Sequence, residues 1–266
     1  MAVSASRIAA RRAANVVFIA ACVALTLLAL AALATILWSL ASQGLGGINL
    51  AVFTRSTPAP GSPGGLANAI VGSIMLAVLA MALAILVGVL AGTWLAEYAG
   101  RSRYGSLIRF LNDVLLSAPS ILIGLFVYEI LVAPFGGFSG FAGAVALALL
   151  AAPVITRTTE DVLKLQAASL RESAVALGSP LWRVIGAVLW RNGASGIITG
   201  ILLAFARISG ETAPLLFTAL NNQFFSLDMT KPMANLPSVI FQFALSAYDD
   251  WRRLAWAGAL LIAATV

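Results

Sequence analysis

Polar residues along this chain are few and clustered, and they leave long apolar blocks between them. Uninterrupted runs cover Val16 to Leu40, Leu66 to Ala96, Val114 to Ala133, Phe141 to Thr156 and Ile197 to Leu220, and a sixth opens near Leu254. A helix needs about 18 or more apolar residues to cross about 30 Å of hydrocarbon, so these blocks predict membrane-spanning helices. The sixth run reaches Val266 after thirteen residues. That is about 20 Å of helix at about 1.5 Å per residue, which predicts a span cut short in this chain. The expected fold class is an all-α membrane protein, a polytopic bundle of six intended transmembrane helices with the sixth incomplete.

Composition narrows the class without changing it. Of 266 residues, 61% are hydrophobic and 10% are charged, with a mean hydropathy of +0.99. Soluble domains carry about 45 to 50% apolar and about 25% charged residues. The first run follows Arg7, Arg11 and Arg12, as a cleavable signal would. Its apolar stretch is about 25 residues, however, against about 7 to 15 in a signal, so it reads as a retained anchor.

Charge then sets orientation. Lys and Arg near membrane segments are retained on the cytoplasmic side. Eleven basic residues fall on the side of the N-terminus: Arg7, Arg11, Arg12, Arg101, Arg103, Arg109, Arg157, Lys164, Arg171, Arg183 and Arg191. Four fall opposite, Arg55, Lys231, Arg252 and Arg253, and Arg207 lies inside a run. The N-terminus and the Arg157 to Arg191 segment are therefore expected in the cytoplasm. The net charge of +6 reflects this orientation, not nucleic-acid binding.

Several chemistries are excluded. There is no histidine and a single cysteine, Cys22, so imidazole catalysis, His-based metal sites and an internal disulfide are absent. No G-x-x-x-x-G-K-[ST] loop occurs, so the chain has no nucleotide site of that kind. It reads as a transporter component, not an enzyme, with no cofactor or metal of its own.

The stretch between the fourth and fifth runs, Thr158 to Trp190, carries helix punctuation. Ser169 and Glu172 match the S-x-x-E capping box, predicting a helix from about Leu170. Gly178 suits its left-handed closing residue, Ser179 the next N-cap and Pro180 the first position of a second helix. The first helix, roughly 12 Å long, would project Val175, Leu177 and Leu181 towards a protein groove. An amphipathic helix lying on lipid has the same spacing.

A second concentration of signals lies in the fifth run. Arg207 and Glu211 are four residues apart and share a helix face. An intramembrane arginine costs about 2.5 to 3.5 kcal/mol on insertion scales and is a functional hypothesis by default. Pro214 clashes with the carbonyl of Gly210, predicting a kink or break, and broken backbone in a membrane lines cavities or ion sites. Arg207, Glu211 and Thr212 would face such a pathway, where a guanidinium can grip phosphate oxygens bidentately. A purely structural Arg207–Glu211 pair is the alternative. Arg157 is either a topology determinant or an anion-attracting residue at the inner mouth, and Glu129 is expected at the outer interface. Gly88 with Gly92, and Gly196 with Gly200, form G-x-x-x-G pairs that permit close helix approach.

The segment Arg171 to Gly178, R-E-S-A-V-A-L-G, resembles the EAA loop of bacterial ABC importer permeases, with Glu172, Ala174 and Gly178 at its matching positions. Ser173 stands where the family often has alanine, and the later proline is missing near Trp190 and Arg191. The blocks A-R-I-S-G-E-T-A-P-L-L-F-T-A within Ile201 to Ser226, K-P-M-A-N-L-P at Lys231 to Pro237 and W-R-R-L-A-W-A-G-A from Trp251 are similar to the PstA family of phosphate importer permeases. That resemblance runs from about Leu66 to the end.

It implies a type I importer permease fold: residues 1–65 holding the N-terminal segment, first span and outer loop, and residues 66–266 the permease core, with its coupling-helix loop at about 157–192. It implies a pathway for inorganic phosphate in the bacterial inner membrane. The implied partners are a PstC-type permease subunit, two PstB-type ATPase subunits that bind the ATP, a PstS-type extracytoplasmic phosphate-binding protein and the lipid bilayer. The loop from Leu220 to Tyr248 is expected to fold back as a short helix or re-entrant piece where the binding protein docks. A secondary transporter or channel would share the broken helices and intramembrane charges but needs no docking helix. A membrane enzyme fits the residue inventory least.

Overall fold

The computed structural model describes the backbone of residues 5–100 and 102–266, with side chains from Arg7 onward. Arg101, one of the eleven basic residues counted above, lies outside the described residues. Within them every regular element is a helix. Helix α1 (Ala5–Gly47) is followed by a short α2 (Leu50–Thr54) and a long α3 (Ala67–Glu97). Next come α4 (Arg103–Ser117), α5 (Ser120–Val127) with a π-helical turn to Val132, and α6 (Gly140–Lys164). After α7 (Ala168–Ala176), the chain forms α8 (Leu181–Val184), a π-helical turn to Leu189, and α9 (Trp190–Asn192). It ends in α10 (Ala194–Ser209), α11 (Ala213–Thr218), α12 (Leu236–Ala244) and α13 (Asp249–Thr265).

Helices α1, α3 and α6 are each long and apolar enough to cross a membrane. Two further candidates are broken. The α4–α5 pair bends by 107° and the segment Leu181–Asn192 meets α10 at 73°. The third apolar run is therefore not one straight span from Val114 to Ala133. Pro119 forces Ala118 into an extended conformation, as the residue before a proline prefers, and the helix turns a corner there. The helix that carries the sixth run starts before the run itself, at Asp249.

Helix α6 is the hub. Both G-x-x-x-G pairs press on it from different neighbours: a Cβ at Gly88 or Gly92 of α3 would meet Ile155 Cβ at 2.7 Å or the Thr156 carbonyl at 2.5 Å. On α10, a Cβ at Gly196 or Gly200 would meet Val162 or Thr158 at 2.6 Å. These glycines let the backbones approach to a distance that a methyl group forbids. Around them Leu76, Ala84, Leu147, Ile155 and Ala204 form the main core. By contrast, the apolar side chains of α1 from Val16 to Leu37 are exposed in this single chain. The helix touches the bundle near Gly44 and Gly47, against α13.

The bundle has two differently built ends. At the α12 end, buried Asn68 at the start of α3 donates to the carbonyls of Asn222 and Gln223 at 2.9 and 3.3 Å. Its side-chain oxygen accepts the Thr57 amide. Ser73 accepts the Leu236 amide at 2.8 Å, fixing the start of α12. The expected fold-back after Leu220 is thus an irregular loop followed by the short α12. Leu220 itself is held at φ +57°, a costly conformation for a residue with a side chain.

Candidate functional site

The α7 end is assembled from the tails of α3 and α6 and the hairpin 165–193. Helix α7 is closed as expected at Gly178, whose φ is +81°. The Ser179 amide reaches the Ala174 carbonyl at 3.3 Å, a Schellman closure. The beginning differs from expectation. The helix starts at Ala168 behind Ala167, with no side-chain cap, so Ser169 lies in the first turn and the Ser169–Glu172 capping box does not form. Ser179 is likewise not the cap of α8. Its amide is spent on closing α7, and the Pro180 carbonyl accepts from Arg183 and Val184, making Pro180 the cap.

What fixes the start of α7 is Arg171, whose role the residue pattern did not reveal. Its guanidinium grips Glu97 with two atoms, Nη2 to Oε1 at 2.6 Å and Nε to Oε2 at 2.9 Å. It also donates to the carbonyls of Leu163 and Gln166 at 2.6 and 3.0 Å. Glu97 is 4% exposed and Arg171 23%. Hydrogen bonding to Glu97 holds the Arg171 guanidinium above its ordinary pKa despite burial. The other arm of the hairpin is tied to the same helix, because Trp190 donates its indole N–H to Thr93 at 3.1 Å. Beneath both arms lies a small core of Leu163, Val184, Ile185 and Leu189, with Ala174 packed against it. Glu172, Val175 and Leu177 face outward from α7.

A second charged knot lies beside the first. Glu160, 2% exposed, accepts Arg109 Nε at 2.6 Å and pairs with Lys164. Arg109 also donates to the Leu95 carbonyl at 2.9 Å, so α3, α4 and α6 meet at one guanidinium. Arg157 is exposed and faces two carboxylates, Asp161 at 3.2 Å and Asp113 at 3.9 Å. Glu129 is exposed in the π-helical turn after α5.

In the fifth run α10 ends at Ser209, Gly210 is its C-cap, and α11 resumes with Pro214 in its first turn. A break of three residues replaces a mere kink. Gly124 of α5 seats against it, a Cβ there falling 2.6 Å from Pro214 Cα. Gly210 and Thr212 line a cleft of about 530 Å³ with Pro237, Ile240 and Phe241. The break separates Arg207 from Glu211, and no ion pair links them among the described residues. The structural pair anticipated as the alternative reading is therefore absent. Arg207 is exposed, while Glu211 and Thr212 are half-buried. Arg157 does not join them: its neighbour Thr158 packs on Gly200, seven residues and about 10 Å along α10 from Arg207.

Comparison with known proteins places this geometry. Residues 88–265 match the family described as binding-protein-dependent transport system inner membrane component. The phosphate transport system permease protein PstA of Yersinia pestis is 56% identical over 228 residues, which is 85% of this chain and 77% of that protein. The probable phosphate transport system permease protein PstA of Methanocaldococcus jannaschii is 36% identical over 240 residues, 90% of this chain and 85% of that protein. Among solved structures, the MetNI methionine ABC transporter in an inward-facing conformation matches with a TM-score of 0.63 at 16% identity. The match covers 74% of this chain and 88% of that one. At that identity the likeness speaks for the fold alone, that of an ABC importer permease.

Proposed function

Because this chain belongs to the family of binding-protein-dependent transport system inner membrane components, we propose that it is a pathway-forming permease subunit of an ATP-driven phosphate importer. The similarity to PstA permeases extends over most of the chain and supports phosphate as the ion. The observation that carries the pathway assignment is Arg207. It is exposed on an apolar helix, has no carboxylate partner among the described residues, and stands in the last turn before a break in the helix. A permanently charged guanidinium so placed needs an anion, water or a partner subunit to offset its burial in the membrane. It can bind phosphate oxygens through parallel hydrogen bonds.

In this reading the PstC-type subunit completes the pathway, so that Arg207, Glu211 and Thr212 face it. Arg157 acts at the inner mouth, with its field tempered by Asp113 and Asp161. The α7 end lies in the bacterial cytoplasm, as does the N-terminus, and the α12 end lies outside the inner membrane. Residues 66–266 are the permease core. Glu172, Ala174 and Gly178 belong to the coupling helix that seats in one of two PstB-type ATPase subunits, which hold the ATP. A PstS-type binding protein delivers phosphate at the α12 end. An ion-coupled carrier would have no use for α7.

The test is ATP-dependent phosphate uptake into vesicles carrying the whole complex. Arg207→Ala is expected to abolish uptake while assembly and basal ATP hydrolysis persist, and normal uptake by that variant would remove the pathway assignment. Glu172→Ala is expected to weaken retention of the ATPase subunits on purification.

A further inference from the structure

Helix α3 is held at both ends of the molecule through its own side chains. At one end Glu97 and Thr93 hold the two arms of the hairpin, through Arg171 and Trp190. At the other, Asn68 and Ser73 hold the loop after Leu220 and the start of α12. All four anchors stand on one uninterrupted helix of 31 residues, about 45 Å long at about 1.5 Å per residue. Helices α4–α5 and α10–α11 are broken at Pro119 and before Pro214, so neither can carry a push along its axis as directly.

We propose that α3 is the rod that couples the extracytoplasmic loop to the coupling helix, and that the Arg171–Glu97 pair is its cytoplasmic joint. The proposal rests on the orientation and ATP coupling given above. The joint is rigid for chemical reasons. Two parallel charge-assisted bonds fix the guanidinium plane relative to the carboxylate. Two backbone carbonyls, of Leu163 and Gln166, take up further donors of the same guanidinium, so α7 cannot swing without leaving buried polar groups unpaired. At the far end Asn68 is 4% exposed and makes its bonds to backbone carbonyls, so a shift of the outer loop is passed to the α3 backbone directly. Arg171 and Glu97 are positioning residues that act through the hairpin they hold.

The joint is opened with the least change of shape by Glu97→Gln, tested in the reconstituted complex with its ATPase subunits and binding protein. Three rates are read: basal ATP hydrolysis, hydrolysis stimulated by phosphate-loaded binding protein, and phosphate uptake. The expected result is near-native basal hydrolysis with stimulation and uptake each reduced about tenfold, the scale of one lost charge-assisted bond. Asn68→Ala is expected to give the same pattern from the opposite end. Native stimulation and uptake in Glu97→Gln would overturn the proposal, and so would a parallel fall of all three rates.

A second readout is independent of the transported ion. Spin labels at Ser169→Cys and Tyr98→Cys, in a Cys22→Ser background, report the α7–α3 distance. A single narrow distribution that Glu97→Gln broadens supports the joint, and a distribution unchanged by the substitution overturns it. If the unmutated complex transports no phosphate, the functional reading fails, and the label distances still decide the joint.

Discussion

Arg207 and Arg171 lie 36 positions apart and show how differently the same side chain is used. Arg171 is spent on Glu97 and two backbone carbonyls, whereas Arg207 has no carboxylate partner among the described residues. A substitution that keeps charge but loses the planar fork separates the two demands. Arg207→Lys should retain assembly and lower the uptake rate about tenfold, because an ammonium cannot make two parallel bonds to one phosphate. Initial uptake rates at saturating ATP measure this directly. Residue identity also matters at the glycines. Gly92→Leu places a side chain against the Thr156 carbonyl and Thr159, and overpacking of this kind costs about 1 to 3 kcal/mol. The expected outcome is a lowered melting temperature in detergent.

At the scale of elements, the carboxylate of Glu160 ties α6 to α4 and α3 through Arg109. Glu160→Gln keeps the shape and removes the charge. Loss of one partner of a fully buried pair costs about 3 to 5 kcal/mol. Arg109 is 22% exposed and Lys164 48%, so water screens part of the loss and about 1 to 2 kcal/mol is expected. Chemical denaturation of the detergent-solubilised subunit checks this. The hairpin was legible in part. Gly178 marks its turn because only a residue free of Cβ strain takes φ +81° cheaply. The Ser169–Glu172 signature was misleading because Arg171 organises the first turn through a residue 74 positions away, and no local pattern encodes that.

At the scale of the molecule, α6 sits between α3 and α10, and the exposed apolar face of α1 awaits lipid or another subunit. Gly178→Ala strains the closing turn of α7 by about 1 to 2 kcal/mol without touching the membrane core. It should therefore leave the melting temperature of the isolated subunit nearly unchanged while lowering coupled uptake, and a parallel loss of both would contradict the separation of coupling element from core. This separation also explains why the all-helical membrane bundle was readable before the ties at its two ends. Apolar runs are long and one-dimensional, whereas the anchors of α3 depend on single side chains reaching across the chain.

By itself the sequence determined the helical membrane architecture, because hydrocarbon tolerates only backbone that bonds to itself. It also determined the glycine-closed hairpin and the interruption near Pro214, since both follow from local backbone sterics. Tertiary structure decided which charges are paired. Arg207 and Glu211 share a helix face only while the helix is continuous, and three residues of broken backbone part them. Glu97 and Arg171, remote in sequence, meet because Gly88 and Gly92 let α3 lie close along α6, bringing its tail to the start of α7. The sign and spacing of charges are written in the chain, but the low-dielectric contacts that give them energy exist only after packing.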